Sequence, residues 1–335
     1  MTSPAARLGE ITGHVMLARC LGIAAELGLA DLVAERPRTA AELAAATASH
    51  AGALYRMLRY LVAQGIFAED DGGRFANTEL SEPLRTGVAG SVKESVRTAW
   101  QDVVWDTFRH LPHTIATGAP AFDHAFGSGL FAYFAAHPDV GAAFDRAMAR
   151  QSGPENDAVA ASYPFGDFSV VMDVGGGRGG LLAAILARYP GVRGILFDQS
   201  HVLAEPSDLD AAGVRRCCDL VAGDFFKAVP PGADIYALKR ILHDWTDAEA
   251  ATILRHCASA LRPDGRVLAI DAVIAPGNAP DPNKALDLGI MALTHGRERT
   301  AAEFQAVFAA AGLRVERIIP TPRPSSMSIV VGARA

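Results

Sequence analysis

The sequence predicts an α/β fold in two parts, a helical winged-helix domain over residues 1–164 and a doubly wound, mostly parallel sheet over residues 165–335. Three observations carry that expectation. From His14 to about Arg150 apolar residues recur at helical spacing, as in Leu17, Leu21, Ala24, Ala25 and Leu29, which makes one face of a 3.6-residue repeat. Beyond Pro164, short apolar runs alternate with helix-like segments, the order that builds parallel sheets covered by helices. Between the first such run, Phe168 to Val174, and the helix-like Leu181 to Tyr189 stands Asp173-Val174-Gly175-Gly176-Gly177-Arg178-Gly179-Gly180, a strand, a glycine turn and a helix. At 335 residues, two domains are the natural expectation.

In the first part, Thr39-Ala40-Ala41-Glu42 is a capping box opening a short helix, and Ala51 to Gln64 forms a second one. Ile66 to Ala68 and Arg74 to Ala76, joined through Asp70-Asp71-Gly72-Gly73, read as a hairpin. Helix, turn, helix and wing make a winged helix, which standing alone suggests a transcription regulator with its recognition helix near 51–64. Charge argues against that reading. Residues 1–90 carry 8 Arg or Lys against 10 Asp or Glu, a net −2, whereas DNA binding needs cations for phosphates. Further on, Trp100, Trp105, Phe108, Phe122, Phe126, Phe131, Tyr133, Phe134 and Phe144 are expected mostly as core. His110 and His113 have metal-like spacing but no evident third ligand, so they are read as solvated histidines.

In the second part the glycines let the chain turn tightly and bring backbone N–H groups at a helix N-terminus close to a ligand. A nucleotide-like cofactor is expected, and two readings of the loop stay open. Gly175, Gly177 and Gly180 satisfy G-x-G-x-x-G, the dinucleotide fingerprint. The overlapping Asp173-x-Gly175-x-Gly177-x-Gly179 puts an acid at the strand end, which disfavours a pyrophosphate and suits an ammonium group. Asp198, ending the next strand Val192 to Phe197, has the spacing of a ribose-binding carboxylate and fits both. Asp234 to Leu242 reads as a buried strand running into a loop, followed at once by His243-Asp244-Trp245. Ligands of open α/β sheets bind beyond the carboxyl ends of the strands, which places His243 at the mouth of the crevice, where a general base is needed. Thr246-Asp247-Ala248-Glu249 caps the helix Ala248 to Ala260, so Asp244 and Trp245 also serve as scaffold. The strand Val267 to Ile270 ends in Asp271.

The chain is half hydrophobic, with 20% charged residues and a formal net charge of −6, which offers no electrostatic reason to bind nucleic acid or an anionic membrane. Met1 to Glu10 lacks a cationic segment followed by an apolar core, and Val15 to Val33 is interrupted by Arg19, Glu26 and Asp31. The expectation is a cytoplasmic protein with neither signal peptide nor membrane span. Cys20, Cys217, Cys218 and Cys257 show no metal spacing and are expected as reduced thiols.

Five motifs follow one another in order: Met172-Asp173-Val174-Gly175-Gly176-Gly177, Phe197-Asp198-Gln199-Ser200-His201-Val202, Gly223-Asp224-Phe225-Phe226, Leu242-His243-Asp244-Trp245 and His295-Gly296-Arg297-Glu298-Arg299-Thr300. With them the chain resembles, over nearly its whole length, the S-adenosylmethionine-dependent, metal-independent small-molecule O-methyltransferases of plant phenylpropanoid and bacterial natural-product pathways. The resemblance implies a Rossmann-like methyltransferase sheet with a terminal antiparallel hairpin, Arg314 to Ile319 with Met327 to Val331. It also implies a winged-helix domain that dimerises the enzyme rather than binding DNA. Its cofactor is S-adenosylmethionine, with Gly175 and Gly177 beside the amino-acid portion, Asp198 on the ribose, Asp224 and Phe225 flanking adenine and Lys239 on the cofactor side. The strand-end Asp173 joins that set. His243 falls on the catalytic base, bracketed by Asp271 and Glu298. Asp271 stands where plant relatives carry Glu, which leaves its reach to the imidazole open. Met148 matches a methionine that packs on the acceptor ring, and Met291, Leu293 and Asp244 are further acceptor-side candidates.

The chemistry fits those implied roles. A phenol of pKa about 10 is mostly protonated at neutral pH and must lose its proton before in-line attack on a sulfonium methyl. A largely neutral histidine accepts it without a metal. The expected acceptor is a hydroxyl of an aromatic or polyketide-like metabolite. Relatives repurposed for decarboxylation or hydroxylation are the alternative, and they typically lose the histidine that this chain keeps at 243. A nicotinamide dehydrogenase and a winged-helix regulator are the remaining rivals.

Overall fold

The computed structural model describes residues 3–88, 90–99, 101–204, 208–323 and 325–335, without the side chains of residues 98, 142, 143, 145–147 and 149–151. Trp100 lies outside the described residues. The chain divides into two compact units, Met1–Asp106 and Thr107–Ala335.

The first unit opens with the helix Pro4–Glu26, whose start is fixed by Pro4 and by the Ser3 hydroxyl accepting from the Ala6 N–H at 3.2 Å. Strands β1 (Arg38–Thr39), β2 (Phe67–Glu69) and β3 (Arg74–Asn77) form an antiparallel sheet in the order β1-β3-β2. The helices Ala40–Thr47 and Ala51–Ala63 complete the expected winged helix. The capping box forms as read, with the Glu42 N–H donating to the Thr39 hydroxyl and the Thr39 N–H to the Glu42 carboxylate. Asp70 makes the wing turn by accepting from the N–H groups of Gly72 and Arg74, each at 2.9 Å. Leu29, Leu43, Leu58, Leu61, Phe67 and Phe75 are buried between helices and sheet.

In the second unit, β4 (Val170–Val174), β5 (Arg193–Asp198), β6 (Cys218–Ala222), β7 (Ile235–Lys239) and β8 (Arg266–Asp271) run parallel. A short parallel pair, β9 (Val273–Ile274) and β10 (Arg299–Thr300), lies apart from them, and the closing strands β11 (Leu313–Pro320) and β12 (Ser328–Arg334) are antiparallel. The seven-stranded order is β11-β12-β8-β7-β4-β5-β6. The chain leaves β4 toward β5 and β6, then returns to β4's other side as β7. That reversal makes a topological switch point at the carboxyl ends of β4 and β7, the place where open α/β sheets bind their ligands. Both faces of the sheet are covered by buried Leu, Ile, Val and Phe, as a doubly wound sheet requires. Among the described residues no helix is long and apolar enough to cross a membrane.

Residues 107–162 group with this sheet, so the division falls at Asp106 and not near Pro164. The long helix Pro138–Ser162 packs along Gly180–Arg188. Helical periodicity tells which face a helix buries but not which core receives it. Phe122 is fully buried beside Phe126 and Tyr133, while Trp105, Phe108 and Phe131 are exposed, against the expectation of core. Their spacing gave them a helix and left their facing undecided. His110 and His113 are half-buried against His124, with ring centroids 5.3 and 4.0 Å away, so they are not simply solvated. The helix Ala121–Phe126 supplies that third ring.

Candidate active site

The glycine loop after β4 is built by left-handed backbone at Gly175, Gly177 and Gly179, with φ of 71°, 57° and 81°, a region that glycine enters without steric cost. A Cβ on Gly175 would stand 2.6 Å from Ile241 Cδ1, and one on Gly176 would stand 2.6 Å from the Asp173 carboxyl carbon. The loop therefore folds directly over Asp173. Asp198, at the end of β5, is tied to it, accepting from the Gly177 N–H at 2.8 Å and from the Gln199 N–H at 2.6 Å. Asp173 is 1% exposed and neither carboxylate oxygen has a partner. Burial pushes its pKa up to about 7, with Lys239 opposing and Asp198 adding to the rise.

A buried, unpartnered acid beneath a glycine loop fits a ligand that carries an ammonium group, and a ribose diol fits the acid that ends β5. Asp224 accepts from the Phe226 N–H at 2.9 Å. Phe225 and Phe226 pack edge to face on Trp245, with centroids 6.1 and 4.7 Å away, an aromatic wall suited to a base. Those features together fit S-adenosylmethionine. Lys239, expected on the cofactor side, ends β7 with its ammonium 3.5 Å from Glu155.

His243 sits in a single 3₁₀ turn, Leu242–Asp244, just beyond β7. Its Nδ1 lies 2.7 Å from Glu298 Oε1 and 3.8 Å from Asp271 Oδ1, and its Nε2 lies 3.7 Å from Asp244 Oδ1. Both bracketing acids are thus at the ring, but only Glu298 is within hydrogen-bond reach, as the shorter Asp271 side chain foreshadowed. Both Asp271 oxygens and Glu298 Oε2 are buried without partners. Burial pushes Asp271 and Asp244 up to about 6 and Glu298 up to about 7. Met148 and Met291 are half-buried on separate helices, Pro138–Ser162 and Asn283–Leu293. Among the described residues no group of three His, Cys, Asp or Glu is placed to hold a metal ion.

Four residues hold this geometry without having been singled out by motif. Arg299 is fully buried and clamps the 3₁₀ turn, its Nη1 donating to the Leu242 carbonyl at 2.7 Å and its Nη2 to the Trp245 carbonyl at 2.9 Å, while Nε pairs with Asp247 at 2.9 Å. Gly296 lies against the same turn, where a Cβ would collide with the His243 carbonyl. Both belong to the motif read for Glu298 alone. Glu155 receives both arms of Arg240, Nε at 3.1 Å and Nη2 at 2.8 Å. No local pattern marks this pair, whose partners are 85 residues apart.

The O-methyltransferase domain family matches residues 108–314, and the O-methyltransferase dimerisation domain family matches residues 10–87. A phenazine O-methyltransferase of Lysobacter antibioticus is 41% identical over 331 residues, which cover 96% of this chain and 94% of that protein. The solved mitomycin 7-O-methyltransferase is 36% identical, with a TM-score of 0.91 over 99% of this chain and 100% of that one. An O-methyltransferase of neocarzinostatin biosynthesis, solved with S-adenosylmethionine and 2-hydroxy-5-methyl naphthoic acid, is 34% identical, with a TM-score of 0.82 over 96% of each chain.

Proposed function

This chain belongs to the family of S-adenosylmethionine-dependent O-methyltransferases, and we propose that it methylates a hydroxyl on an aromatic or polyketide-like metabolite with His243 as the general base. The observation that carries the reading is the 2.7 Å contact of Glu298 with Nδ1 of His243, four residues beyond Lys239 at the end of β7. An ionised carboxylate there accepts the Nδ1–H, so Nε2 keeps its lone pair for the acceptor's proton. Asp244, on the Nε2 side, favours the imidazolium that forms. Asp198 would hold the ribose hydroxyls, Asp173 and the glycine loop the amino-acid portion, and Asp224 with Phe225 the adenine. When bound, the cofactor supplies a methyl group on a sulfonium. Lys239 would stand on the cofactor side, and Met148 and Met291 would pack on the acceptor ring.

The first helix supports a homodimer through the N-terminal unit, since Leu8, Ile11, Val15 and Met16 are exposed along it. Substituting His243→Ala tests the base. Turnover should fall by roughly 10²–10⁴ while calorimetric affinity for S-adenosylmethionine stays near wild type. The loss should shrink for acceptors of lower pKa, which arrive already ionised. Wild-type turnover on a neutral phenol, or a loss only in proportion to unfolded protein, would make His243 structural.

A further inference from the structure

Glu298 enters the site on a stretch of backbone that is fixed on either side of it. Before it, Gly296 lies against the His243 turn, where a Cβ would collide with the His243 carbonyl. After it, Arg299 holds the carbonyls of Leu242 and Trp245. The N–H of Glu298 itself turns elsewhere, to the helix Asn283–Leu293, and donates to Asp287 Oδ1 at 2.9 Å.

The carboxylate needs that anchor because it has so few of its own. Glu298 is 2% exposed, its Oε1 lies 2.7 Å from His243 Nδ1, and its Oε2 has no partner. A side chain held through one oxygen goes where its backbone puts it. A hydrogen bond of 2.7 Å is lost once its partners move apart by about an ångström, and a misplacement of that size at a reacting centre costs up to about 10²-fold in rate. Asp287 fixes the main-chain nitrogen from which the Glu298 side chain departs. Met291 follows one turn later on the same helix, and residues four apart share a helix face. The face that would pack on the acceptor ring therefore also carries the group that sets the acid behind the base.

We propose that Asp287 is a positioning residue: by accepting the Glu298 N–H it sets the carboxylate against His243 Nδ1, so that the ring carries its hydrogen there and keeps Nε2 bare for the acceptor's proton. The inference rests on His243 as the base, but its first readout does not need turnover. In the cofactor-free full chain labelled with ¹⁵N-histidine, at about pH 8, above the value of about 7 to which Glu298 is raised, the His243 ring shifts report which nitrogen holds the hydrogen. Wild type should show the Nδ1–H form and Asp287→Ala a mixture of the two. Asp287→Asn, which keeps an acceptor oxygen, should restore the wild-type ring. Turnover per folded enzyme should fall about 10- to 100-fold in Asp287→Ala, with the acceptor KM and the affinity for S-adenosylmethionine near wild type, and return in Asp287→Asn. A wild-type ring and wild-type turnover in Asp287→Ala, whatever its melting temperature, would make the contact merely structural and overturn the proposal. Loss of the Nδ1–H form in Asp287→Asn would overturn it too. Should Asp287→Ala fail to fold, Asp287→Leu fills the space without an acceptor and should show the same mixture, and a wild-type ring there would be equally fatal. Failure of the base reading looks different: His243→Ala would keep its turnover while the wild-type ring still answered to Asp287.

Discussion

In the N-terminal unit Glu42 accepts from the Thr39 backbone and pairs with Arg36, which hold its pKa down to about 2, and Asp31 is held low, against its partial burial, by Lys93 and Thr86. At the ends of β4 and β8, Asp173 and Asp271 sit under the surface with no partner on either oxygen, and both are pushed up. Identical side chains are thus shifted in opposite directions by their surroundings. Partnered acids at caps and turns return a small stabilisation. Buried acids without partners cost the fold free energy and persist where something outside the fold uses them. The contrast separates what holds this chain together from what equips it to react.

The largest expected effect lies at the reactive end. Glu298→Gln keeps an oxygen for Nδ1–H but removes the charge that favours the imidazolium, so turnover should fall about 10²-fold while thermal stability holds or rises. Asp271→Asn, at 3.8 Å from the ring, should cost less. If Asp271 proves the more damaging site, the two acids exchange roles and Asp271, not Glu298, orients the ring.

A smaller effect, with two signs, is expected at Asp173. Replacing it by Asn removes the buried charge, so affinity for S-adenosylmethionine should drop by about 1–3 kcal/mol while the cofactor-free protein gains stability. The pH dependence follows from the raised pKa. Between the ordinary Asp value of about 4 and the folded value of about 7, the folded state binds a proton that the unfolded state does not. Stability must then fall as pH rises through that window, and the fall should be shallower in Asp173→Asn. Cofactor-free melts across the window would read this directly. Equal slopes in the two proteins would mean that Asp173 is already ionised and partnered in solution.

Local signals in the sequence carried over well. The glycine turn, the boxes at Thr39 and Thr246, the wing hairpin and the strand-end His243 all depend on neighbours within a few residues, and each stands where it was expected, while the antiparallel closing strands, which the family resemblance implied, also form. What escaped depends on separations that no window spans. Glu155 meets Arg240 across 85 residues, Arg299 reaches the Leu242 carbonyl across 57, and Gly296 is needed because the His243 turn passes against it. The helices after Thr107 were periodic enough to be recognised but not to be assigned to a core. The expected dinucleotide alternative was decided by burial, since Asp173 lies enclosed beneath the loop where a pyrophosphate would have met its charge.

The smallest expected effect lies in the N-terminal unit and sharpens the contrast from the other side. Thr39 and Glu42 satisfy each other's backbone donors at the start of the helix Ala40–Thr47. Thr39→Ala removes one half of that exchange and should cost about 1 kcal/mol, read as a melting temperature lower by a few degrees. Because Glu42 is over a third exposed, its ion pair with Arg36 adds little to that figure. Affinity for S-adenosylmethionine and turnover per folded enzyme should not change, since the whole loss falls on the unfolding equilibrium. A Thr39→Ala protein that melts normally but turns over slowly would show that the partnered acids also serve the reaction, and the division between holding and reacting would fail.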